Sequence, residues 1–164
     1  MNIEEKEILF IFGLGGHEAQ MKRIIGKVNE KNIRVKKICL CEEKCDVEVY
    51  DKVYFTDSMR DKYQKKIISF DKFLSMITLA FLTFRIIKEN RKIIGIVSTG
   101  PGIAIIPSII FRTLGKKVVF IETWSRFYSK SLTGRFMEKF STKLIVQNIE
   151  LKNLYKNAIY GGRL

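Results

Sequence analysis

The segment IFGLGGHEAQ (residues 11–20) joins the end of an apolar run to three glycines and to His17, the one histidine of the chain. The run itself, EILFIF (residues 7–12), is apolar after its first position, which is typical of a strand buried on both faces of a sheet. From Met21 onward, apolar residues recur at the spacing of a helix face. The segment therefore predicts a buried strand, a glycine turn and a helix, in that order.

The same order of elements recurs along the rest of the chain. Apolar runs predict further strands at residues 33–40, 51–55, 93–98, 116–122 and 142–147, and helices at 66–90, 103–114 and 131–141. Strands that alternate with helices and are apolar on both faces indicate a parallel sheet covered by helices on both sides. We therefore predict a doubly wound, Rossmann-like α/β fold, with residues 1–164 forming a single domain.

The chain carries 30 lysine and arginine residues against 17 aspartate and glutamate residues, a formal net charge of +13. This basic excess favours anionic partners, such as nucleic acid, acidic phospholipid or a polyphosphate ligand, although solvated surface lysines would also account for it. We expect no nucleic acid, because most aromatic residues lie in apolar runs and no nucleic-acid-reading motif is present.

Three cysteines, Cys39, Cys41 and Cys45, fall within one short segment. An odd number argues against a disulfide framework, and a zinc site would want four ligands when only His17, in another loop, could join these three. We expect ordinary thiols in a reducing compartment. The first residues, MNIEEKEILFIFGLGG, lack the basic start of a secretory signal, so we expect a cytosolic protein.

The longest uncharged apolar run, FLSMITLAFLTF (residues 73–84), is well short of the roughly 20 residues that a membrane-spanning helix needs. Basic residues flank it on both sides: Lys65, Lys66, Lys72, Arg85, Lys88, Arg91 and Lys92. The 66–90 helix is therefore either a buried core helix or an amphipathic helix that lies on an anionic membrane surface. The sequence leaves both interpretations open.

Ligands bind doubly wound sheets at the carboxyl ends of the strands. Here those ends fall at residues 13–17, 99–102 and 122–126 and at Gln147, and we expect all four to line one crevice. The first turn can bend sharply because of its glycines, and the N–H groups of the following helix favour an anion such as phosphate or diphosphate. Glu18 replaces the third glycine of the dinucleotide fingerprint, and no Gly-Lys-Ser/Thr P-loop is present, so the identity of the anion stays open.

A second glycine turn, STGPG (residues 98–102), repeats the arrangement of strand, turn and helix. The two turns could hold one extended diphosphate from both sides, or each could be no more than a tight connection between a strand and a helix. The residues predicted to contact the anion are Gly13, Leu14, Gly15, Gly16, Thr99, Gly100 and Gly102.

Two side chains near these turns are candidate proton acceptors. His17 lies at a glycine turn and helix start, and an imidazole accepts a proton near neutral pH. Glu122 ends a predicted strand. The structural alternatives are that His17 is only a hydrogen-bonding group, and that Glu122 is a partner of a helix amino terminus or of the facing loop.

Several segments, in this order and spacing, resemble one family: FGLGGHEAQM, VSTGPGIAIIPSII, GKKVVFIETWSR, SLTGRF, IVQ and YGGRL. They are similar to the acceptor-binding subunits of two-chain GT-B glycosyltransferases. This group includes bacterial exopolysaccharide proteins of the PssD, EpsE and CpsF type and the membrane subunit of the eukaryotic UDP-GlcNAc transferase that acts on dolichol-diphosphate-GlcNAc. More distantly, the likeness extends to the N-terminal half of MurG; it runs nearly end to end and is least at residues 41–92.

The resemblance implies an inverting UDP-sugar transferase divided between two chains, in capsular polysaccharide, exopolysaccharide or lipid-linked oligosaccharide biosynthesis. This chain would bind a polyprenyl-diphosphate-linked sugar at the cytoplasmic face of the membrane. A separate catalytic subunit would bind the UDP-sugar, because the chain ends where single-chain relatives enter their donor-binding domain. No metal or other cofactor is expected, and no DxD motif is present.

Roles for individual residues follow from the same resemblance. His17 would take the proton from the attacking sugar hydroxyl, with Glu122 as the second candidate. The acceptor diphosphate would lie against residues 13–16 and 99–102. Arg126 and Arg135 would contact phosphate, unless they are solvated surface residues.

Two alternative functions stay open. The subunit could be a non-catalytic enhancer of its partner. The chain could also be a small nucleotide- or NAD-binding Rossmann protein, since Glu42 and Glu43 follow the second predicted strand, where such proteins place a ribose-binding acid.

Overall fold

The computed structural model describes residues 6–42, 45–56 and 70–163. Its elements, in chain order, are β1 (Glu7–Phe12), α1 (Gly16–Glu30), β2 (Lys36–Glu42), β3 (Lys52–Thr56), α2 (Phe70–Glu89), β4 (Ile93–Ser98), a 3₁₀ turn (Gly102–Ala104), α3 (Ile105–Thr113), β5 (Lys117–Ile121), α4 (Leu132–Phe140), β6 (Lys143–Val146), α5 (Ile149–Lys152) and β7 (Ala158–Tyr160). Within these residues, the strands form one parallel sheet in the order β3-β2-β1-β4-β5-β6-β7. The predicted doubly wound α/β fold is confirmed.

Strand β1 lies where the sheet changes its direction of growth. It pairs with β2 on one side, where Phe12 lies opposite Cys41, and with β4 on the other, where Ile11 lies opposite Ser98. The chain first adds β2 and β3 outward from β1, and then adds β4 to β7 in the opposite direction. A sheet of this kind opens a crevice at the carboxyl ends of the two strands that flank the reversal. The turns after β1 and β4 therefore begin side by side.

Alternate residues of β1 face the two sides of the sheet, and both sides are covered. On one side, Leu9 and Ile11 belong to a large buried cluster. Its helical members include Leu79, Ile86, Phe111 and Met137. On the other side, Phe10 and Phe12 pack in a second cluster with Met21, Ile25, Cys39, Cys41 and Cys45. Burial on both faces is the reason that this strand is apolar at successive positions.

Helix α2 is buried along only one of its faces. Leu79 and Ile86 are fully buried, whereas the side chain of Phe81 is 71% exposed. The exposed apolar residues of this helix, which we call the α2 apolar face, are Phe73, Leu74, Met76, Ile77, Phe81 and Phe84. Within its described residues, helix α2 is therefore a core helix on one side and presents an exposed apolar surface on the other.

Part of that prediction lies outside the described residues. Positions 66–69 fall there, as do Lys65 and Lys66 and the side chain of Lys72. Among the helices of residues 6–42, 45–56 and 70–163, none has the length and apolar character needed to cross a membrane.

The first and last residues of the helices and strands differ from the predicted ones mainly where the apolar pattern covers few residues. Helix α1 begins at Gly16, at the glycine turn where a helix start is predicted, although the apolar spacing begins only at Met21, because the first turn of the helix carries glycine and polar residues. No element is predicted after residue 147, yet the structure adds α5 and β7. Strand β7 has 3 residues, too few to show the alternation of apolar and polar residues by which a strand is predicted. Its position follows from its pairing with β6, which sets Ile159 opposite Ile145.

Glu89, the last residue of α2, ties this helix to β3. Its carboxylate accepts hydrogen bonds from Lys52 Nζ at 2.7 Å, from the Tyr54 hydroxyl at 2.6 Å and from Arg85 Nε at 2.7 Å. The hydrogen bond from Lys52 and then those from Tyr54 and Arg85 lower the pKa of Glu89 from 4.5 to about 2.

We expect the Glu89→Gln variant to be less stable than the wild type at neutral pH. Because the pKa of this carboxyl is lower in the folded protein than in the unfolded chain, its stabilising contribution is full above about 4.5 and is lost as the pH falls toward about 2. Urea unfolding followed by circular dichroism should show a difference between the unfolding midpoints of the wild type and the variant, and this difference should become smaller as the pH falls from about 4.5 toward about 2. Glu150→Gln, at an exposed position of α5, is the matched control. A gap that stays constant with pH would contradict the assignment.

Candidate functional site

A cavity of about 450 Å³ opens at the carboxyl ends of the strands. The predicted site residues that line it are His17, Thr99, Gly100, Gly102, Glu122 and Arg126. None of the four predicted residues of the first glycine turn is part of its wall: Gly13 is buried, and Leu14, Gly15 and Gly16 are exposed. Gln147 also lies off the cavity, so three of the four predicted strand ends, rather than all four, supply the lining.

The two glycine turns are joined by a reciprocal pair of hydrogen bonds. His17 Nδ1 lies 2.6 Å from the Thr99 carbonyl oxygen, and the Thr99 hydroxyl donates to the His17 carbonyl oxygen at 2.9 Å. The imidazole also packs against Gly100, where a β-carbon would lie 3.0 Å from His17 Cε1. Gly100 has a φ of 90°, a conformation that other residues rarely adopt. Both the contact and the conformation require glycine at this position.

The hydrogen bond to Thr99 decides which nitrogen of His17 is basic. A carbonyl oxygen can only accept, so Nδ1 of the neutral ring carries the hydrogen and Nε2 is the proton-accepting nitrogen. The ring is half-buried in the wall of the cavity, at the second position of α1. His17 is thus a hydrogen-bonding group through one nitrogen and has the chemistry of a base at the other.

The first glycine turn is already engaged with a carboxylate. Glu42, the last residue of β2, accepts a hydrogen bond from the Leu14 N–H at 3.2 Å, is only 7% exposed and lines the cavity. Gly13 is pressed against the second turn, since a β-carbon there would lie 2.6 Å from Pro101 Cδ. One of the N–H groups expected to bind an anion is therefore taken by the protein itself, and Glu42 is a cavity residue that the anion prediction did not include.

The second glycine turn leads directly into a helical segment. The Gly100 N–H donates to Ser98 Oγ at 3.0 Å, which holds the turn against the end of β4. The 3₁₀ turn then starts at Gly102 in the cavity wall and continues into α3. The positive end of this 102–113 segment consequently lies at the cavity, where it favours negative charge.

Glu122 is buried at the opposite wall and is held by several donors. Its carboxylate accepts hydrogen bonds from the Thr123 N–H at 2.9 Å, from the Ser131 hydroxyl at 2.9 Å and N–H at 3.3 Å, and from the Tyr155 hydroxyl. Burial, and then the hydrogen bond to this carboxylate, raise the pKa of Tyr155, so the phenol stays protonated and remains a donor. Glu122 is 1% exposed.

Tight packing around Glu122 extends to α4. A β-carbon at Gly134 would overlap both the Glu122 carboxylate and the Tyr155 hydroxyl. The Glu122 backbone carbonyl is held in turn by the side-chain amides of Gln20 at 3.2 Å and Gln147 at 2.9 Å. The hydrogen bonds of the Glu122 carboxylate to Ser131 join the end of β5 to the start of α4. Glu122 is therefore the partner of a helix amino terminus, as the structural alternative proposed. The loop between β5 and α4 forms one wall of the cavity.

The two arginines are separated by the structure. Arg126 is exposed at the cavity, where its Nη1 donates to Ser129 Oγ at 3.2 Å. Arg135 is exposed on α4 and is absent from the cavity wall. No group of three or more histidine, cysteine, aspartate or glutamate side chains in the described ranges is arranged to hold a metal ion.

The solved structures with a similar fold include nucleotide-sugar enzymes. MurG of Acinetobacter baumannii has a TM-score of 0.68 and 12% identity, with 97% of this chain and 45% of the MurG chain covered. UDP-GlcNAc 2-epimerase of Neisseria meningitidis, solved with UDP-GlcNAc bound, has a TM-score of 0.63 and 13% identity, with 90% and 41% covered. This chain spans less than half of either protein, and the likeness establishes the fold.

Sequence relatives are more specific. The UDP-N-acetylglucosamine transferase subunit alg14 of Schizosaccharomyces pombe is 24% identical over 176 aligned positions, which cover 96% of this chain and 83% of that protein. A family model described as "Oligosaccharide biosynthesis protein Alg14 like" matches residues 8–164. Since that match includes both glycine turns and every wall of the cavity, the chain belongs to the Alg14-like family of oligosaccharide biosynthesis proteins.

Proposed function

We propose that this chain is the acceptor-binding subunit of a two-chain, inverting UDP-sugar glycosyltransferase that acts on a polyprenyl-diphosphate-linked sugar. The observation that carries the proposal is the link between His17 and Thr99, which holds the imidazole beside the second glycine turn in the wall of one cavity. Membership of the Alg14-like family supports the same assignment.

The sugar donor is assigned to a second polypeptide. The fission-yeast relative is named as a subunit of a transferase. A separate catalytic subunit would hold the UDP-sugar opposite the cavity, and transfer would require both chains. The products would enter capsular polysaccharide, exopolysaccharide or lipid-linked oligosaccharide synthesis.

Within the cavity, we assign the acceptor diphosphate to the second glycine turn. Thr99, Gly100 and Gly102 lie there at the positive end of the 102–113 helical segment, and Arg126 is exposed at the same cavity. The N–H groups of Thr99 and Gly100 are bonded to Ile11 and Ser98, so the donors assigned to the phosphate oxygens are the N–H groups that begin the helical segment at Gly102 and the Arg126 guanidinium. Arg135 is left out of this assignment because it lies off the cavity.

His17 Nε2 would accept the proton of the attacking sugar hydroxyl. As that proton leaves, the hydroxyl oxygen bonds to the anomeric carbon of the donor sugar, and the carbon–oxygen bond to UDP breaks with its electron pair leaving on UDP. Glu122, the second candidate base, is assigned a positioning role instead, since its carboxylate is occupied by Thr123, Ser131 and Tyr155. These steps use no metal, which stays a prediction.

Attachment to the membrane is assigned to the α2 apolar face. Its phenylalanines at positions 73, 81 and 84 are more than half exposed, on a chain of net charge +13. An apolar helix face on a basic protein is suited to an anionic bilayer surface, into which the aromatic side chains insert. The subunit would then lie at the cytoplasmic face of the membrane, where a polyprenyl-linked acceptor is anchored.

We expect the His17→Ala variant to transfer sugar at least about 100-fold more slowly than the wild type when its partner is present, because general base catalysis contributes that much. His17→Asn is the sharper test. Its amide N–H can still donate to the Thr99 carbonyl, but the side chain has no basic nitrogen. The measurement is transfer from UDP-sugar to a polyprenyl-diphosphate saccharide, with circular dichroism and partner co-purification as controls for folding and assembly.

The outcomes of this assay separate the candidate functions. Slow transfer by both variants supports His17 as the base. Normal transfer by His17→Asn alone would reduce His17 to a structural link, and normal transfer by both would favour a non-catalytic enhancer subunit. Of the two acids predicted for a ribose, Glu43 lies outside the described residues and Glu42 ends β2, so binding of NAD(H) at micromolar concentration would instead favour a nucleotide-binding protein.

We expect the wild type to bind vesicles that contain phosphatidylglycerol and the Phe81→Asp/Phe84→Asp variant to bind them at least about tenfold more weakly, since burying one such side chain contributes about 1.5–3 kcal/mol. Co-sedimentation measures this directly. Ile159→Asp/Tyr160→Asp, which adds the same two charges at exposed apolar positions of the edge strand β7, is the matched control. Equal binding by the wild type and the α2 variant would remove this helix from membrane contact.

A further inference from the structure

We propose that the Glu42 carboxylate determines how the acceptor is oriented: it binds hydroxyl groups of the acceptor sugar and excludes the diphosphate from the first glycine turn. This inference rests on the proposed function, because it takes a diphosphate-linked sugar as the ligand of the cavity. It assigns a specificity-determining role to a residue that neither the anion prediction nor the candidate bases included.

The carboxylate lies at the junction of the two turns. Glu42 ends β2, whose preceding residue, Cys41, pairs with the last residue of β1. A β-carbon on Gly13 would lie 3.1 Å from Glu42 Cδ and 2.6 Å from Pro101 Cδ, so this side chain and the second turn approach the same point. The residue is more than nine-tenths buried, yet it forms part of the cavity wall.

The donors around Glu42 leave room for a ligand. A carboxylate offers about four lone-pair sites, and the Leu14 N–H occupies one of them through Oε2. In the described part of the chain, no lysine or arginine forms an ion pair with Glu42. Glu42 is not among the buried polar atoms that lack a partner, so its second oxygen is accessible from the cavity, where a donor-bearing ligand can hydrogen-bond to it.

The chemistry of the acceptor then sets its direction in the cavity. A diphosphate is anionic and has only acceptor oxygens, so Glu42 repels it and no hydrogen bond can form between them. Sugar hydroxyl groups are donors, and a carboxylate can accept from two neighbouring ones. Dinucleotide-binding folds use an acid at the end of the second strand in the same way, on ribose hydroxyls. The sugar would thus face Glu42 and the diphosphate the Thr99–Gly102 turn.

The test compares two soluble probes: farnesyl diphosphate, and farnesyl diphosphate that carries N-acetylglucosamine. In the wild-type chain, we expect the sugar-bearing probe to bind more tightly in calorimetric titration. In Glu42→Gln, its affinity should fall roughly tenfold, as expected for loss of a hydrogen bond to a charged group. Affinity for farnesyl diphosphate should stay the same or rise, because a negative charge has been removed. Glu150→Gln, which makes the same charge change at an exposed site, should bind both probes as the wild type does.

Opposite responses to the two probes cannot arise from a general folding defect, which would weaken both. Equal losses in Glu42→Gln, or no loss, would overturn the inference while leaving the proposed function standing. A wild-type chain that binds neither probe would overturn the proposed function and the inference with it.

A measurement on the wild type alone makes the test independent of how the variant folds. In ¹⁵N-resolved spectra, the Leu14 amide reports directly on the bond to Glu42 Oε2. We expect the sugar-bearing probe to shift this signal and farnesyl diphosphate to leave it nearly unchanged, while the Gly100 and Gly102 amides respond to both. A shift of the Leu14 amide by farnesyl diphosphate of the same size would show that diphosphate enters the first turn, and would refute the inference.

Discussion

The pair of hydrogen bonds between His17 and Thr99 is the constraint on which the rest of the site depends. Each residue offers one donor and one acceptor to the other, across two turns that are 82 positions apart in the chain. The sheet makes this possible, because β1 and β4 are neighbours at the reversal of strand order. The bonds fix the tautomer of the imidazole, hold the ring over Gly100 and press the turns together. Without them, the imidazole and the second turn would no longer be held against each other at the cavity wall.

The charges around the cavity suit a ligand that is anionic at one end and carries hydroxyl groups at the other. Two carboxylates, Glu42 and Glu122, are buried at the cavity, while positive potential comes from the start of the 102–113 helical segment and from Arg126. One acid is saturated by donors from β5, α4 and Tyr155. The other keeps capacity for further donors. This distribution of charge is the basis of the orientation proposed above, with an anion at one end of the cavity and hydroxyl groups at the other.

Local sequence predicted the fold well where strands are buried on both faces. EILFIF and IIGIVS became β1 and β4 with their predicted bounds, because uninterrupted apolar runs between turn residues leave little choice. β7 could not be predicted, since its position depends on pairing with β6. For the site, the turns and His17 were predictable from glycine chemistry. The engagement of the Leu14 N–H by Glu42, and the burial of Glu122 among donors from α4 and Tyr155, depend on contacts between distant segments that no local pattern encodes.

The central claim is that this cavity serves one half of a reaction whose other half lies on a second chain. The most direct measurement is transfer from UDP-sugar to a polyprenyl-diphosphate saccharide. It is made with three samples: this chain alone, the donor-binding subunit alone, and the two chains expressed together. Transfer is expected only when both chains are present. Transfer by this chain alone would contradict the division of the reaction between two chains.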